Sequence, residues 1–165
     1  MREKLEDNAR KFISKPLNSE FLEKNGATSF ILTVDWLETG EDSETKVAYK
    51  KFDNGDVQIL LITKATKNGS RTSEKENIAQ ERYQQLVASS TLHLEKKRYE
   101  FEYHQNNTRF SVKYDEFANG TLNIVEVDAS SEEKRNTFTP GDFPVKLKEV
   151  TGDARYYGYR IAEMM

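Results

Sequence analysis

The octet Lys96-Lys97-Arg98-Tyr99-Glu100-Phe101-Glu102-Tyr103 constrains this chain more than any other segment. Successive side chains of a strand point to opposite sides, so at period two Lys96, Arg98, Glu100 and Glu102 share one face. Lys97, Tyr99, Phe101 and Tyr103 take the other. Such a strand belongs in a sheet with one apolar side and one side bearing both signs of charge. Alone, it reads most simply as the solvated outer face of an antiparallel sheet; the competing reading is that the charged side lines a site.

Composition narrows the classes. The 165 residues suit one domain, 1–165, with a core of its own. Only 36% of residues are hydrophobic and 32% are charged, yet nine Phe, eight Tyr and one Trp argue against disorder. A net charge of −3 gives no global basic field, so duplex nucleic acid is not an expected partner and any anion site must be local. Cysteine is absent, which excludes disulfides, thiolate zinc sites and a Cys nucleophile. No apolar run has the length of a membrane span and Met1-Arg2-Glu3-Lys4 opens no signal-peptide core, so a cytoplasmic location is expected, with no membrane partner.

Turn chemistry divides the chain into short strands. Met1 to Lys11 fits either a strand or a helix. Ser19 is expected to cap a helix over Glu20–Lys24, and Ser29–Leu37 reads as a strand. Lys46–Phe52 and Val57–Ala65 flank Asp53-Asn54-Gly55-Asp56 as a hairpin. Asn68-Gly69-Ser70 is a further turn, followed by a polar segment, Arg71–Glu76. Ile78, Ala79, Tyr83, Leu86 and Val87 share one helical face and predict a helix over Asn77–Ser89. Leu94–Tyr103, Arg109–Phe117 and Thr121–Ala129, joined at Gln105-Asn106-Asn107 and Asn119-Gly120, predict a meander. Ser130 with Glu133 resembles a capping box, and Asp153 can cap a terminal helix through Tyr157 and Ile161. The fold class is α+β, with seven or eight mostly antiparallel strands; closing such a sheet removes its exposed edges.

Charge recurs on several strands. Leu122, Ile124, Glu126 and Asp128 share a face, as do Arg109, Ser111, Lys113 and Asp115, and Lys46, Ala48 and Lys50. If the sheet curls, these faces converge. Clustered Lys and Arg would neutralise a polyanion, and clustered carboxylates could hold a divalent ion through oxygen. The plain alternative is a set of cross-strand salt bridges worth about 0–1 kcal/mol each. His93 and His104, the two histidines, read as surface or hairpin residues, Trp36 as core, and Tyr156, Tyr157 and Tyr159 as anchors for the last helix.

In order and spacing the sequence resembles the CYTH domain, also called the triphosphate tunnel metalloenzyme family. The residues that carry the resemblance are Asp7-Asn8-Ala9-Arg10-Lys11-Phe12-Ile13, Ile62-Thr63-Lys64, the stretch Arg71 to Ile78, and Lys96-Lys97-Arg98-Tyr99. Asp115-Glu116-Phe117, Val125-Glu126-Val127-Asp128 and Glu149-Val150-Thr151-Gly152-Asp153-Ala154-Arg155-Tyr156-Tyr157 complete it. The resemblance implies an eight-stranded, tunnel-like antiparallel β-barrel with helices packed outside. It implies that Lys11, Lys64, Arg71, Lys96 and Arg98 grip phosphates, with Asp115 a further acid of the substrate site. Asp7 and Glu126 would be catalytic, and Glu126, Asp128 and Glu76 would hold Mg²⁺ or Mn²⁺.

The activity implied is metal-dependent hydrolysis of inorganic triphosphate or a triphosphate-containing nucleotide, by a monomer or homodimer. The sequence also departs from the family pattern. Asp7 and Ala9 stand for two glutamates, Ala48 for one of a basic pair with Lys46, and Glu74 and Glu76 are displaced by one residue. These departures point to the alternative, a CYTH-like module that binds a phosphorylated ligand or polyphosphate without hydrolysis.

Overall fold

The computed structural model describes residues 9–40, 42–117, 120 and 122–165, together with the backbone of 2–6. Among these residues the chain forms ten strands and four α-helices, an α+β arrangement in which the pairings described below are antiparallel. They fall into two compact units, one comprising 1–8, 31–95 and 153–165, the other 9–30 and 96–152.

The second unit holds most of β7 (Leu92–Gln105), with β8 (Thr108–Phe117), β9 (Asn123–Asp128), β2 (Arg10–Ser14) and β10 (Leu147–Glu149), in that order. Asn106 and Asn107 both adopt left-handed backbone, with φ of 53° and 59°, the conformation a two-residue hairpin between β7 and β8 requires. Register follows from that turn: Arg98 stands opposite Asp115 and Tyr99 opposite Tyr114. Tyr99, Phe101 and Tyr103 therefore share a face with Phe110, Val112, Tyr114, Val125, Val127 and Phe12. That face carries the core of the unit, joined by Leu22 of α1 (Ser19–Lys24) and by Phe138 and Phe143 of the loop after α3 (Glu132–Arg135). Phe138 meets the rings of Phe12, Phe110, Phe143 and Tyr103 at centroid distances of 5.5, 5.4, 5.9 and 6.5 Å. Each such ring pair adds about 0.5–1.5 kcal/mol beyond burial.

The first unit orders β1 (Arg2–Glu6), β6 (Ser70–Asn77), β5 (Val57–Lys67), β4 (Ser43–Phe52) and β3 (Thr28–Glu38), followed by the opening residues of β7. Asn68 and Gly69, at φ 53° and 77°, fold β5 back into β6. The polar segment Arg71–Glu76 is thereby a strand, with Lys64 opposite Ser73 and Ile62 opposite Lys75. It lacks apolar alternation and is held by ladder hydrogen bonds to both neighbours. The helix expected over Asn77–Ser89 is shorter, α2 over Gln80–Val87, because Asn77 still pairs with Leu60 as the last residue of β6. Its Tyr83 ring lies 5.1 Å from Tyr49 of β4. The terminal segment splits: Asp153 caps a 3₁₀ turn at Ala154–Tyr156, and α4 follows at Gly158–Met164.

Several local expectations shift by one residue. Asn18, not Ser19, caps α1 by accepting the Phe21 N–H at 2.8 Å, and Ser131, not Ser130, caps α3. The ambiguous N-terminal segment supplies strands, β1 and β2. The eight-stranded closed barrel is corrected on two counts: ten strands form, and within each unit the strand order is open rather than closed on itself. Asn119 and Thr121, at the expected β8–β9 turn, lie outside the described residues.

Candidate functional site

The face of the second unit opposite its aromatic core is charged. Lys96, Arg98 and Glu100 of β7 share it with Lys113 and Asp115 of β8, Glu126 of β9 and Lys11 of β2, because each residue faces its cross-strand partner. The opening strand thus keeps its apolar side in the core and holds Lys96 and Arg98 in a nearly buried cluster, not on a solvated exterior. Asp115, 1% exposed, is the hub. Arg98 donates to it twice, Nε to Oδ1 at 2.7 Å and Nη2 to Oδ2 at 2.8 Å, and Lys96 Nζ reaches Oδ2 at 2.8 Å. This is the bidentate fork that a guanidinium makes and an ammonium cannot.

The charges set each other's protonation. Burial pushes the Asp115 carboxyl up, but Arg98 and Lys96 outweigh it and hold the group well below the usual carboxylate range. Burial, aided by Arg98, lowers Lys96 to about 8 despite the opposing pull of Asp115. Burial opposes the charge on Arg98 as well, and Asp115 with Glu126 and Glu100 more than restores it. Glu126 lies 3.9 Å from Lys11 Nζ; burial works against its ionisation, and Lys11, Arg98 and Lys113 overcome it, so its pKa falls.

Lys11 is fixed by the closing motif. Its backbone N–H donates to Thr151 Oγ1 at 2.9 Å and its carbonyl accepts from Val150 at 2.8 Å, while Glu149 of β10 takes two hydrogen bonds from Arg10 at 2.9 Å. Glu149-Val150-Thr151 therefore works as a strap on β2. Arg10 is structural: it also donates to the Phe138 carbonyl and lies over the Phe12 ring at 5.2 Å.

A second charged face belongs to the first unit. Glu44 and Lys46 of β4, Lys64 of β5 and Arg71, Ser73 and Lys75 of β6 share it by register. Glu44 is 3% exposed; its Oε1 accepts from Lys46 Nζ at 2.9 Å and lies 3.7 Å from Arg71 Nη2. Burial disfavours its charge, and Lys46, Lys64 and Arg71 lower its pKa all the same. Lys46 Nζ sits 5.6 Å from the Trp36 ring centroid, and the Arg71 guanidinium 5.1 Å from that of Tyr157. Ala48, where a second basic residue was expected, is buried on this face.

The structure thus brings Lys96, Arg98, Asp115, Glu126 and Lys11 together in one unit, and Lys64 and Arg71 together in the other. Asp7 lies outside the described residues. Of the expected metal ligands, Glu126 and Asp128 belong to the second unit and Glu76 to the first. Asp128 turns to α3, accepting from Arg135 Nη1 at 3.0 Å and from the Ala129 N–H at 2.8 Å. The register of β5 with β6 contains no bulge, so Glu74 and Glu76 stand opposite Thr63 and Leu61, on the sheet face away from Lys64 and Arg71. There Glu76 lies 3.7 Å from Arg82 of α2. Among the described residues no group of three or more Asp, Glu or His side chains could hold a metal ion.

Sequence reasoning overlooked Glu44, although its i, i+2 spacing from Lys46 was visible. It also overlooked buried Asp35, whose Oδ1 lies 2.8 Å from His93 Nδ1; residues 58 apart carry no local signal.

No protein-family model matches the chain, and no curated protein matches it. Solved structures do. The inorganic triphosphatase NE1496 is 22% identical, with 94% of this chain and 97% of that chain covered and a TM-score of 0.60. A structure described as the hypothetical protein NE1496 gives 22% identity, coverage of 96% and 97%, and a TM-score of 0.59. The PH1819 protein from Pyrococcus horikoshii OT3 is 18% identical over 80% of each chain, with a TM-score of 0.54. The chain shares their fold.

Proposed function

We propose that this chain is a CYTH-like phosphohydrolase that binds inorganic triphosphate or a triphosphate-containing nucleotide on its charged strand faces. The observation that carries the reading is the Lys96–Arg98–Asp115 cluster, on one face with Lys11, Lys113 and Glu126. Asp115 does not meet the phosphate itself. It fixes Nε and Nη2 of Arg98, which turns the Nη1 edge and the Lys96 ammonium into pre-aimed donors for phosphate oxygens. In phosphoryl transfer positioning and charge neutralisation supply most of the catalysis, and donors held in place before the ligand arrives cost no reorganisation. Glu126, ionised between Lys11 and Lys113, is the carboxylate placed to orient a water. Mg²⁺ or Mn²⁺ enters as a variable of the assay, and no step here runs through it. A cytoplasmic location and a monomeric or homodimeric state belong to the same proposal.

The test is phosphate release from inorganic triphosphate in Mg²⁺, Mn²⁺ or EDTA, with Glu126→Gln and Arg98→Ala alongside. Turnover that falls at least about 100-fold in both variants supports the reading. Turnover unchanged by either removes it.

A second reading rests on its own observation. Glu76 meets Arg82 of α2, Glu74 shares its side of the sheet, and Ala48 occupies the expected basic position, so the first unit's charged face carries cations without the acids the family pattern leads one to expect. On that reading the chain holds a phosphorylated ligand or polyphosphate without cleaving it. Calorimetry separates the two: tight triphosphate binding with no phosphate release in any of the three conditions selects the binder.

A further inference from the structure

We propose that Glu44 is a positioning residue, a buried carboxylate that holds Lys46 and Arg71 aimed at the phosphate chain; this rests on the proposed phosphate-binding reading. The argument starts from side-chain freedom. Lys and Arg each carry large rotamer entropy, which a ligand must overcome unless the protein has already immobilised them. Here both are held by neighbouring side chains. Lys46 lies between Glu44 Oε1, at 2.9 Å, and the face of Trp36, at 5.6 Å; Arg71 lies between the same Oε1, at 3.7 Å, and the face of Tyr157, at 5.1 Å, and its Nη1 donates to Thr66 Oγ1 at 3.3 Å. One carboxylate oxygen thereby fixes cations from two strands, and Lys64 stands opposite it in register on a third.

A carboxylate is an unexpected neighbour for an anion site, since it repels the ligand. Its burial sharpens the point. Glu44 is 3% exposed, its Oε2 has no hydrogen-bond partner among the described residues, and unsatisfied buried carboxylate oxygens are costly. A residue held at that cost while opposing the ligand's charge is accounted for by what it does to Lys46 and Arg71. The two effects of removing it have opposite signs. If Glu44 contributed only charge, neutralising it would tighten phosphate binding. If it positions the cations, neutralising it weakens binding although the face becomes more positive.

The experiment uses the full chain with Glu44→Gln and Glu44→Asp, the latter keeping the charge and drawing it back by one methylene. Triphosphate affinity is read by calorimetry and folding by thermal melts. Amine labelling of Lys46 is read by mass spectrometry, with exposed Lys51 as internal control. The expected result is triphosphate binding weakened about tenfold or more in both variants. Labelling of Lys46 should rise several-fold with Lys51 unchanged. Equal or tighter binding in Glu44→Gln overturns the inference and leaves the phosphate-binding reading intact. A wild-type protein that binds no triphosphate removes that reading instead. Labelling then decides the clamp alone, and an unchanged Lys46 rate overturns it.

Discussion

Asp115→Asn is the sharpest perturbation of this molecule, because the shape is kept and one buried charge is deleted. Asp115 accepts three charge-assisted hydrogen bonds, at 2.7, 2.8 and 2.8 Å, with its side chain 2% exposed. Deleting one partner of a buried ion pair leaves the others uncompensated and typically costs about 3–5 kcal/mol. Against a total stability of about 5–15 kcal/mol, that is a large fraction of the folded state's margin. With a urea dependence of about 2 kcal/mol per M, the midpoint should fall by about 2 M with an unchanged slope. Thermal melting should fall by about 6–20 °C.

Acid titration adds an independent check. Burial pushes the Asp115 carboxyl up, yet Arg98 and Lys96 hold it below its ordinary range. The unfolded chain therefore binds more protons, and the stabilisation is complete above the unfolded value of about 3.9 and lost as pH falls through the folded one. Asp115→Asn should flatten that acid limb. Urea melts of Asp115→Asn, Arg98→Met and the double variant isolate the coupling, which should reach about 2 kcal/mol or more. A midpoint shift worth less than about 1 kcal/mol would refute the argument that this cluster is a buried, interdependent unit.

Lys96, lowered to about 8 chiefly by burial, predicts that triphosphate affinity in the wild type declines as pH rises above 8, and that Lys96→Arg loses this dependence; calorimetry between pH 7 and 9.5 reads it, and identical profiles would exclude Lys96 as the titrating group. For the fold itself the sign is opposite. A lysine pKa below its unfolded value of about 10.4 makes stability rise with pH between 8 and that value, a slope Lys96→Met should remove from urea midpoints. Glu76→Gln should leave triphosphate binding and turnover within twofold of wild type in every metal condition, with a stability change of about 0.5 kcal/mol or less, because its carboxylate meets Arg82 on the α2 side of the sheet. A large, metal-dependent loss would place Glu76 back among the functional residues.

Much of the sheet was legible in local chemistry. Alternation along Lys96–Tyr103 fixed which side of β7 enters the aromatic core, and Asn106-Asn107 set the register that puts Arg98 opposite Asp115. The i, i+2 pair Glu126 and Asp128 was equally visible, and both lie on β9. Local chemistry could not assign Arg71–Glu76 to a strand, since nothing in a polar run reveals that two neighbours will supply its hydrogen bonds.

By itself, then, the sequence determined the periodicities, the turns and the resemblance that together point to a charged antiparallel sheet. Tertiary structure decided which charges meet. A strand's pattern says that Glu76 and Lys75 point opposite ways, but only the pairing of β5 with β6 decides that Lys75 sides with Lys64 and Glu76 with α2. Likewise only packing distinguishes Asp128, drawn to Arg135, from Glu126 two residues earlier, held beside Lys11. The physical reason is that Coulomb and hydrogen-bond energies act over a few ångströms of space, whereas charged partners in this protein are separated by up to 139 residues of chain, so spacing along the sequence cannot report them.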